Sequence, residues 1–583
     1  MPIFALQWIL GLAALSLSYA AVDRLIRQDG FRLIFRRLGW RSEATVTGVW
    51  IAVCLLSLPF IPWTAVPSGP TLRYFALAIV GLLAWQAATK DIDIVIGEGH
   101  GFSRLLLLVA ATGVYFHPAF VFIAGYLLTH PFGLWQHHAT LPMRLTQALA
   151  AYIGLTFATG VFLPWSGISG PDFQPASLLV FFLVTLIASH YWITGLAKCM
   201  LGPKWYSWPK DNRLHHIAAS AYSWGWARFL PWTTWLRVIR RAKAVEKPLQ
   251  WAAFGLELLA PLALWNARAA MVFCLAWAGF HAGVFLLSGL LFWDWIAADL
   301  AMAALLYFLP PEIQEQAFGP WPVLASALYM LLLPMRHKLW KPMPLGWFDT
   351  PFTQRMHWRV RGASGKVYGL YNDFMCPHER LYGKVNACFM VPVRVITYHL
   401  GEVWKHDLRD AIRLAGPDLE KLAAVREKFG IRPVCEKRSA NHQTYLRQFF
   451  LALNSGARKQ YLPRSLRWLK APGDQIFYWG DLPAYRRQER VAEITLHYRE
   501  EYFDGERLQR LADTCVLTLA IDPAEGNHGE EGLTGEASAP LRPREPTPKE
   551  IDDFLLSHAQ GKLIDLPGIK SQYLDGDDGR RQT

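Results

Sequence analysis

Lys198 closes the apolar stretch SLLVFFLVTLIASHYWITGLAK (177–198), and no acidic residue stands near it in the local sequence. A lysine at membrane depth costs about 2.5–3.5 kcal/mol on insertion scales, so it snorkels, pairs with an anion, or does chemistry. An amine held away from water gives up its proton more readily, and a neutral lysine amine is a general base near neutral pH.

Three further polar groups fall within or beside apolar runs. Trp135-Gln136-His137-His138 follows the run 103–129, Glu257 sits in LQWAAFGLELLAPL, and His281 sits in WAGFHAGVFLLSGLLFWDW. Ionisable residues at such depth face one another or a cavity, which makes them candidates for function. Each also has a plainer reading. His281 fits a core histidine bonded to a backbone carbonyl, Glu257 a partner for a loop arginine, and the 136–138 turn a wet interfacial segment.

The elements that must hold these groups are membrane helices. The chain has 583 residues, too many for one domain, and is 52% hydrophobic with 26 Trp. Apolar runs long enough to cross ~30 Å of hydrocarbon recur at 3–22, 44–66, 72–89, 103–129, 145–164, 177–198, 249–266, 269–288, 290–309 and 321–335. Eight to ten spans are expected. Tryptophans crowd their ends (Trp40, Trp63, Trp135, Trp165, Trp205, Trp208, Trp265, Trp293, Trp295), as in interfacial belts. The first run lacks a basic leader and a small-residue cleavage site, and reads as a retained span.

Residues 1–345 carry 24 Lys+Arg against 14 Asp+Glu, and residues 346–583 carry 35 against 32. The basic excess therefore sits in loops of the membrane half, which excludes a nucleic-acid-binding tail as its source. Loop 23–41, with six arginines, loop 199–248, with nine Lys/Arg, and the segment after Leu333 should all face the cytoplasm. Ten simple crossings cannot place all three there. The run 103–129, interrupted at His117-Pro118, is the natural site of a re-entrant hairpin or two half-helices. Loop 199–248 interleaves aromatic and basic residues, as interfacial helices do.

After Trp347 the texture changes to a mixed α+β pattern. The alternating stretches Cys388–Tyr398 and Val491–Tyr498 predict strands, and helical patterns lie near 404–414, 418–429 and 441–454. The piece 521–549, rich in Gly, Pro and Glu, reads as disordered linker, and 548–560 as a short amphipathic helix. Seven unevenly spaced cysteines give no disulfide framework and suggest a reducing compartment. Cys376, His378 and Cys388 in the tail fit no standard zinc or haem spacing, so no metal is assigned.

The segment YWITGLAK, the W-Q-H-H turn, and ELLAPL followed by F-H and FLLSGLLFW resemble the vitamin K-dependent gamma-carboxylase family. Its membrane domain also occurs alone in bacteria as the horizontally transferred transmembrane (HTTM) domain. The resemblance covers about residues 70–310. It implies that Lys198, after Tyr191 and Gly195 in an aromatic-x-x-x-Gly-x-x-Lys motif, is the catalytic base for a reduced quinone. It further implies His138 as a second catalytic group at the quinone oxygen, with Trp135, His137, Tyr191 and His281 lining the cofactor. O2, and with it CO2, would be the co-reactants, coupling quinol oxygenation to proton abstraction or carboxylation of a protein or small-molecule substrate. Two departures stand out: Ala197 occupies the place of a second lysine, and Gln136 and His137 replace two asparagines. The tail matches no propeptide-binding region.

Two other readings follow from the residues. His130, His137, His138, His190, His215 and His216 suggest a membrane di-iron oxygenase, although no H-x-x-x-H or H-x-x-H-H spacing occurs. Alternatively the polar groups stabilise a non-enzymatic lipid- or partner-binding bundle. The expectation is a polytopic helical membrane domain (1–345), a soluble α+β domain (346–520) and a partly disordered tail (521–583). It places the protein in a bacterial inner membrane with its soluble half cytoplasmic.

Overall fold

A computed structural model describes residues 2–27, 43–60, 62–91, 101–129, 140–162, 173–318, 345–371, 394–430, 436–458, 462–473 and 480–521, with scattered positions between 323 and 342 and Met390. The helical half runs through α1 (Pro2–Arg27), α2 (Glu43–Leu56), α3 (Gly69–Ala88), α4 (Gly101–Phe116), α5 (Ala119–Thr129), α6 (Thr140–Phe162) and α7 (Ala176–Cys199). It continues with α8 (Ser207–Asp211), α9 (Leu214–Trp224), α10 (Trp232–Leu258), α11 (Ala267–Ser288), α12 (Trp293–Phe308) and α13 (Pro311–Phe318).

Among the described residues, four helices are long and apolar enough to cross a membrane: Ile3–Asp23, Gly69–Ala88, Ala176–Cys199 and Ala267–Ser288. A fifth is reached if α12 and α13, bent by 115° at Leu309-Pro310, count as one broken span. Two of the expected runs take other shapes among the described residues, and most of the run 321–335 lies outside them. The run 103–129 breaks at His117-Pro118 into α4 and α5, whose 16 and 11 residues are each too short for ~30 Å of hydrocarbon. The two pack closely, since a Cβ on Gly113 would lie 2.4 Å from the Phe120 ring. The run 249–266 is no separate span either. Its first half is the end of α10, which begins in the basic loop at Trp232, and its second half is a 3-10 turn, Ala260–Leu264.

α7 is apolar around its whole circumference, and such a helix takes the centre of a bundle. Its span is 89% buried, against 28% for Ile3–Asp23 and for Ala267–Ser288. It packs on α1, α6, α10 and α13. α11 is bounded locally: the Asn266 side chain accepts from Ala269 N at 2.8 Å, and Gly289, at φ +72°, turns the chain out of the helix.

The second half carries β1 (Phe348–Asp349), β2 (Phe352–Gly362), β3 (Val367–Leu370), β4 (Glu402–Val403), β5 (Val491–Phe503) and β6 (Leu508–Ala520). Three helices, α14 (His406–Ala415), α15 (Leu419–Phe429) and α16 (Glu436–Asn454), lie between β4 and β5, close to the helical patterns in the sequence. The main sheet is antiparallel in the order β3-β2-β5-β6. Side chains alternate across it. Trp358, Val360, Ile494 and Leu496 face Leu446, Phe449 and Phe450 of α16 in one apolar core. On the opposite face Arg355 stands beside Arg499 and His357 beside His497. The strand expected over Val491–Tyr498 is present within β5, whereas 394–398 makes only an isolated bridge and most of 388–393 lies outside the described residues. Apart from Ile521, the linker and tail also lie outside them.

Indoles join the halves. Trp208 donates to Trp347 O (2.6 Å), Trp224 to Thr353 Oγ1 (2.9 Å), Trp232 to Glu506 O (2.9 Å), Trp85 to Leu469 O (2.6 Å) and Trp293 to Pro472 O (3.0 Å). Trp208 and Trp293 were expected in an interfacial belt. Both are bonded to the sheet-bearing half, because an indole N–H that leaves water must find an acceptor.

Candidate functional site

Lys198, in the last turn of α7, is 7% exposed and neither snorkels nor stands alone. Its Nζ lies 2.6 and 2.5 Å from the two carboxylate oxygens of Glu257 near the end of α10. The Trp208 ring covers the ammonium at 4.3 Å. Glu257 is therefore the lysine's counter-ion from 59 residues away, rather than the loop-arginine partner of its plainer reading. Burial of both charges demands this, because either one alone in a dry bundle is far costlier than the pair.

Gly195 makes the pairing possible. A Cβ there would lie 2.8 Å from Leu258 N and 3.0 Å from Glu257 C, so only glycine lets the α10 backbone approach α7 this closely. The Tyr-x-x-x-Gly-x-x-Lys pattern thus has a packing reason. Tyr191 lies two turns before Lys198 on the same helix face, about 10 Å along the axis.

Tyr191 carries the second polar cluster. Its hydroxyl donates to Asp299 Oδ2 on α12 at 2.7 Å, and His281 Nε2 on α11 lies 2.9 Å from the Tyr191 hydroxyl oxygen. Since the tyrosine proton goes to Asp299, the histidine must supply the hydrogen of the second bond. Nε2 is then protonated and Nδ1 keeps the lone pair. That Nδ1 and Asp299 Oδ1 are buried with no hydrogen-bond partner among the described residues. Aromatic rings enclose the cluster: Trp277 stacks on Tyr191 (centroids 4.2 Å, 5°), and Trp295 stands edge-on to Tyr191 at 6.0 Å and tilted to His281 at 5.6 Å. His281 is therefore not the carbonyl-bonded core histidine of the plainer reading.

Of the sequence-selected residues, Lys198, Tyr191 and His281 fall in this one region of the bundle. Trp135, Gln136, His137 and His138 lie outside the described residues, as do Cys376, His378 and Cys388. His190 bonds Leu186 O at 2.8 Å through Nδ1, and His215 bonds Glu246 at 2.6 Å. Neither they nor His216 join a potential metal-ligand group among the described residues. His130, His137 and His138 are outside the described residues, so the di-iron reading gains nothing here.

Asp299 was missed in the sequence, although an acid in the middle of DWIAADLAMAALLYF is the same kind of signal as Glu257. Asp349, at the seam between the halves, was missed too. Burial pushes its carboxyl up to about 7, opposed by hydrogen bonds from Asn212 and Trp347 and by the charges of Arg413 and Lys198. Asn212 donates to Asp349 Oδ2 at 2.7 Å and accepts from Asp349 N at 2.7 Å.

No family model, curated protein or solved structure matches this chain.

Proposed function

We propose that the protein is a polytopic membrane enzyme that takes a proton from a lipid-soluble reduced quinone and couples quinol oxygenation to proton abstraction or carboxylation of a second substrate. Its place is a bacterial inner membrane, with the sheet-bearing half in the cytoplasm. The reading is supported chiefly by the unpartnered His281 Nδ1 and Asp299 Oδ1 beside the buried Lys198–Glu257 pair. A buried acceptor without a partner can be satisfied by a ligand that brings a hydroxyl hydrogen.

A quinol, when bound, supplies a hydroxyl proton and the reducing electrons for O2. His281 Nδ1 would accept a hydrogen bond from one quinol hydroxyl, with His281 itself oriented by the Tyr191–Asp299 bond, and the proton to be removed would be that of the other hydroxyl. Lys198 would act as base. Moving one proton from its Nζ to Glu257 removes both charges and leaves an amine lone pair, so Glu257 holds the proton that must leave before the lysine can work. The aromatic shell excludes water from both groups.

The test is formation of quinone epoxide from a reduced naphthoquinone under O2 by detergent-purified protein. Wild type should form product. The Lys198→Met/Glu257→Met double variant should be folded and inactive, and Tyr191→Phe should be slowed about tenfold or more through misorientation of His281. Absence of epoxide from folded wild type, or undiminished turnover in the double variant, would overturn the reading.

A further inference from the structure

The sheet face turned toward the helical half carries a second charged cluster, which the membrane chemistry does not use. Alternation along β2 and β5 places Arg355, His357 and Arg359 beside Arg499, His497 and Thr495 on this face. Arg228, from the turn after α9, joins them across the junction. A pocket opens here, lined by Arg228, Arg355, His357, Arg359, Tyr371 and Arg499 among others.

The charges do not balance. Arg499 bonds Asp481 and Asp513, both at 2.7 Å, and Arg228 also bonds Asp481. Arg359 reaches Asp513 at 3.5 Å, and Arg510 lies 3.7 Å from each of these aspartates and 3.9 Å from Glu501. Glu501 accepts from Ser223. Four guanidinium groups therefore share three carboxylates, and a fifth, that of Arg355, is left over. It is 9% exposed and has neither an ion pair nor a hydrogen bond among the described residues. Desolvation, with the charges of Arg499 and Arg228, pulls it down to about 9 against the pull of Glu501 and Asp481.

A second donor in the pocket is also free. Arg359 donates to His357 Nε2 at 3.0 Å, so the neutral imidazole carries its proton on Nδ1. Burial and the surrounding arginines keep His357 well below the ordinary histidine range. Its Nδ1 is buried and without a partner among the described residues. The same cluster, His357, His497 and Asp513, has the spacing to hold a metal ion. Five surrounding guanidinium groups repel a dication and attract an anion, so charge decides between the two ligands.

We propose that this pocket binds a phosphate-type oxyanion, either free or as an anionic lipid headgroup, with the Arg355 guanidinium and His357 Nδ1–H as its principal donors. A guanidinium fork matches two phosphate oxygens, and a charge-assisted bond in a desolvated site is the strong kind. The site would tie β2 to the turn after α9, linking anion occupancy to the junction between the halves.

The experiment is thermal unfolding of the full chain in zwitterionic detergent, titrated with inorganic phosphate at constant ionic strength. Saturable stabilisation of wild type is expected, with affinity at least about tenfold weaker in Arg355→Met and in Arg355→Lys. Arg361→Gln, an exposed change on the same strand, should bind as wild type does. Without phosphate, Arg355→Met should unfold at the same or a higher temperature, since it removes a buried unpaired cation. A merely structural arginine would do the opposite. Repeating the titration in nanodiscs of phosphatidylcholine, with and without phosphatidylglycerol, separates the sources. Loss of the phosphate response in anionic discs upholds a headgroup as occupant, and an unchanged response upholds free phosphate. No saturable response in wild type, or equal affinity in all variants, would overturn the site. Stabilisation by zinc alone would overturn it in favour of a metal at His357, His497 and Asp513.

Discussion

The two halves of this protein bury charge in opposite ways. In the bundle, Lys198 meets one carboxylate and is covered by one indole, and no cation is left over at that pair. On the sheet, five arginines crowd around three acids and Arg355 has none of its own among the described residues. A helix in hydrocarbon cannot tolerate an unmatched ion, so each charge must bring its partner. A sheet face with several acids close by can hold an excess cation, which a bound anion would satisfy. Matched charge points to proton traffic between fixed groups, and unmatched charge to an exchangeable ligand.

Breaking the match in the bundle should have the largest effect. Lys198→Met leaves Glu257 buried and unpaired, and should lower stability by about 3–5 kcal/mol. Glu257→Met should do likewise, leaving the lysine stranded. The double variant should recover most of the loss, because two apolar side chains of similar length pack where the pair stood. Thermal or denaturant unfolding of all four proteins gives the coupling energy. Simple additivity of the two losses would mean that the pair is not one energetic unit.

The seam between the halves offers a sharper contrast through pH. Asp349 has a folded value of about 7 against 3.8 for the free side chain, so the folded state holds the proton more tightly. Its contribution is complete below about pH 4 and is lost as pH rises through 7. Asp349→Asn keeps a partner for Asn212 and removes this titration. At pH 8 the variant should be more stable than wild type by on the order of 4 kcal/mol, and near pH 4 the two should come close to agreement. A gain of equal size at both pH values would exclude Asp349 as the titrating group.

The sequence makes one side of the comparison legible and hides the other. Lys198, Tyr191, Glu257 and His281 are visible because an ionisable or polar residue in an apolar run stands out against its neighbours. Their mutual pairing is invisible, since the contact of Lys198 with Glu257 depends on how α7 and α10 cross. The shape of single runs is hidden for a related reason: hydropathy registers the runs at 103–129 and 249–266 but not the breaks and continuations that give them other shapes. The sheet site does have a local signal, Arg355-x-His357-x-Arg359-x-Arg361, which is period-two alternation of basic groups on one strand face. Among 35 Lys+Arg in that half the signal is diluted, and the cross-strand partners come from residues 130 or more positions away.

Gly195→Ala tests the close approach that creates the match, without touching either charge. The added methyl meets α10 backbone at Leu258 N and Glu257 C, which cannot swing aside as a side-chain tip can. α10 must shift, and the bidentate contact must lengthen. A loss of about 1–3 kcal/mol is expected, and in the Lys198→Met/Glu257→Met background the same substitution should cost less, because no pair remains to be stretched. Equal losses in both backgrounds would reduce Gly195 to a packing residue with no bearing on the pair.

The smallest effect should come from the indoles that hold the two halves together. Trp85 and Trp293 donate to Leu469 O and Pro472 O, and their rings meet edge to face at 5.1 Å. Ala471 N also donates to Thr89 Oγ1 at 3.0 Å, and Lys470 pairs with Asp91 at 2.9 Å, so residues 469–472 are strapped to the end of α3 and the start of α12. Trp85→Phe keeps the ring contact and removes one donor, which should cost about 1 kcal/mol. Global unfolding will hardly register so small a change, but local opening will. Amide hydrogen exchange at 469–472 should quicken about fivefold, while exchange in α7 stays as in wild type. Faster exchange in both segments would mean that the strap and the Lys198 pair open together, and the two regions would then share one cooperative unit rather than two.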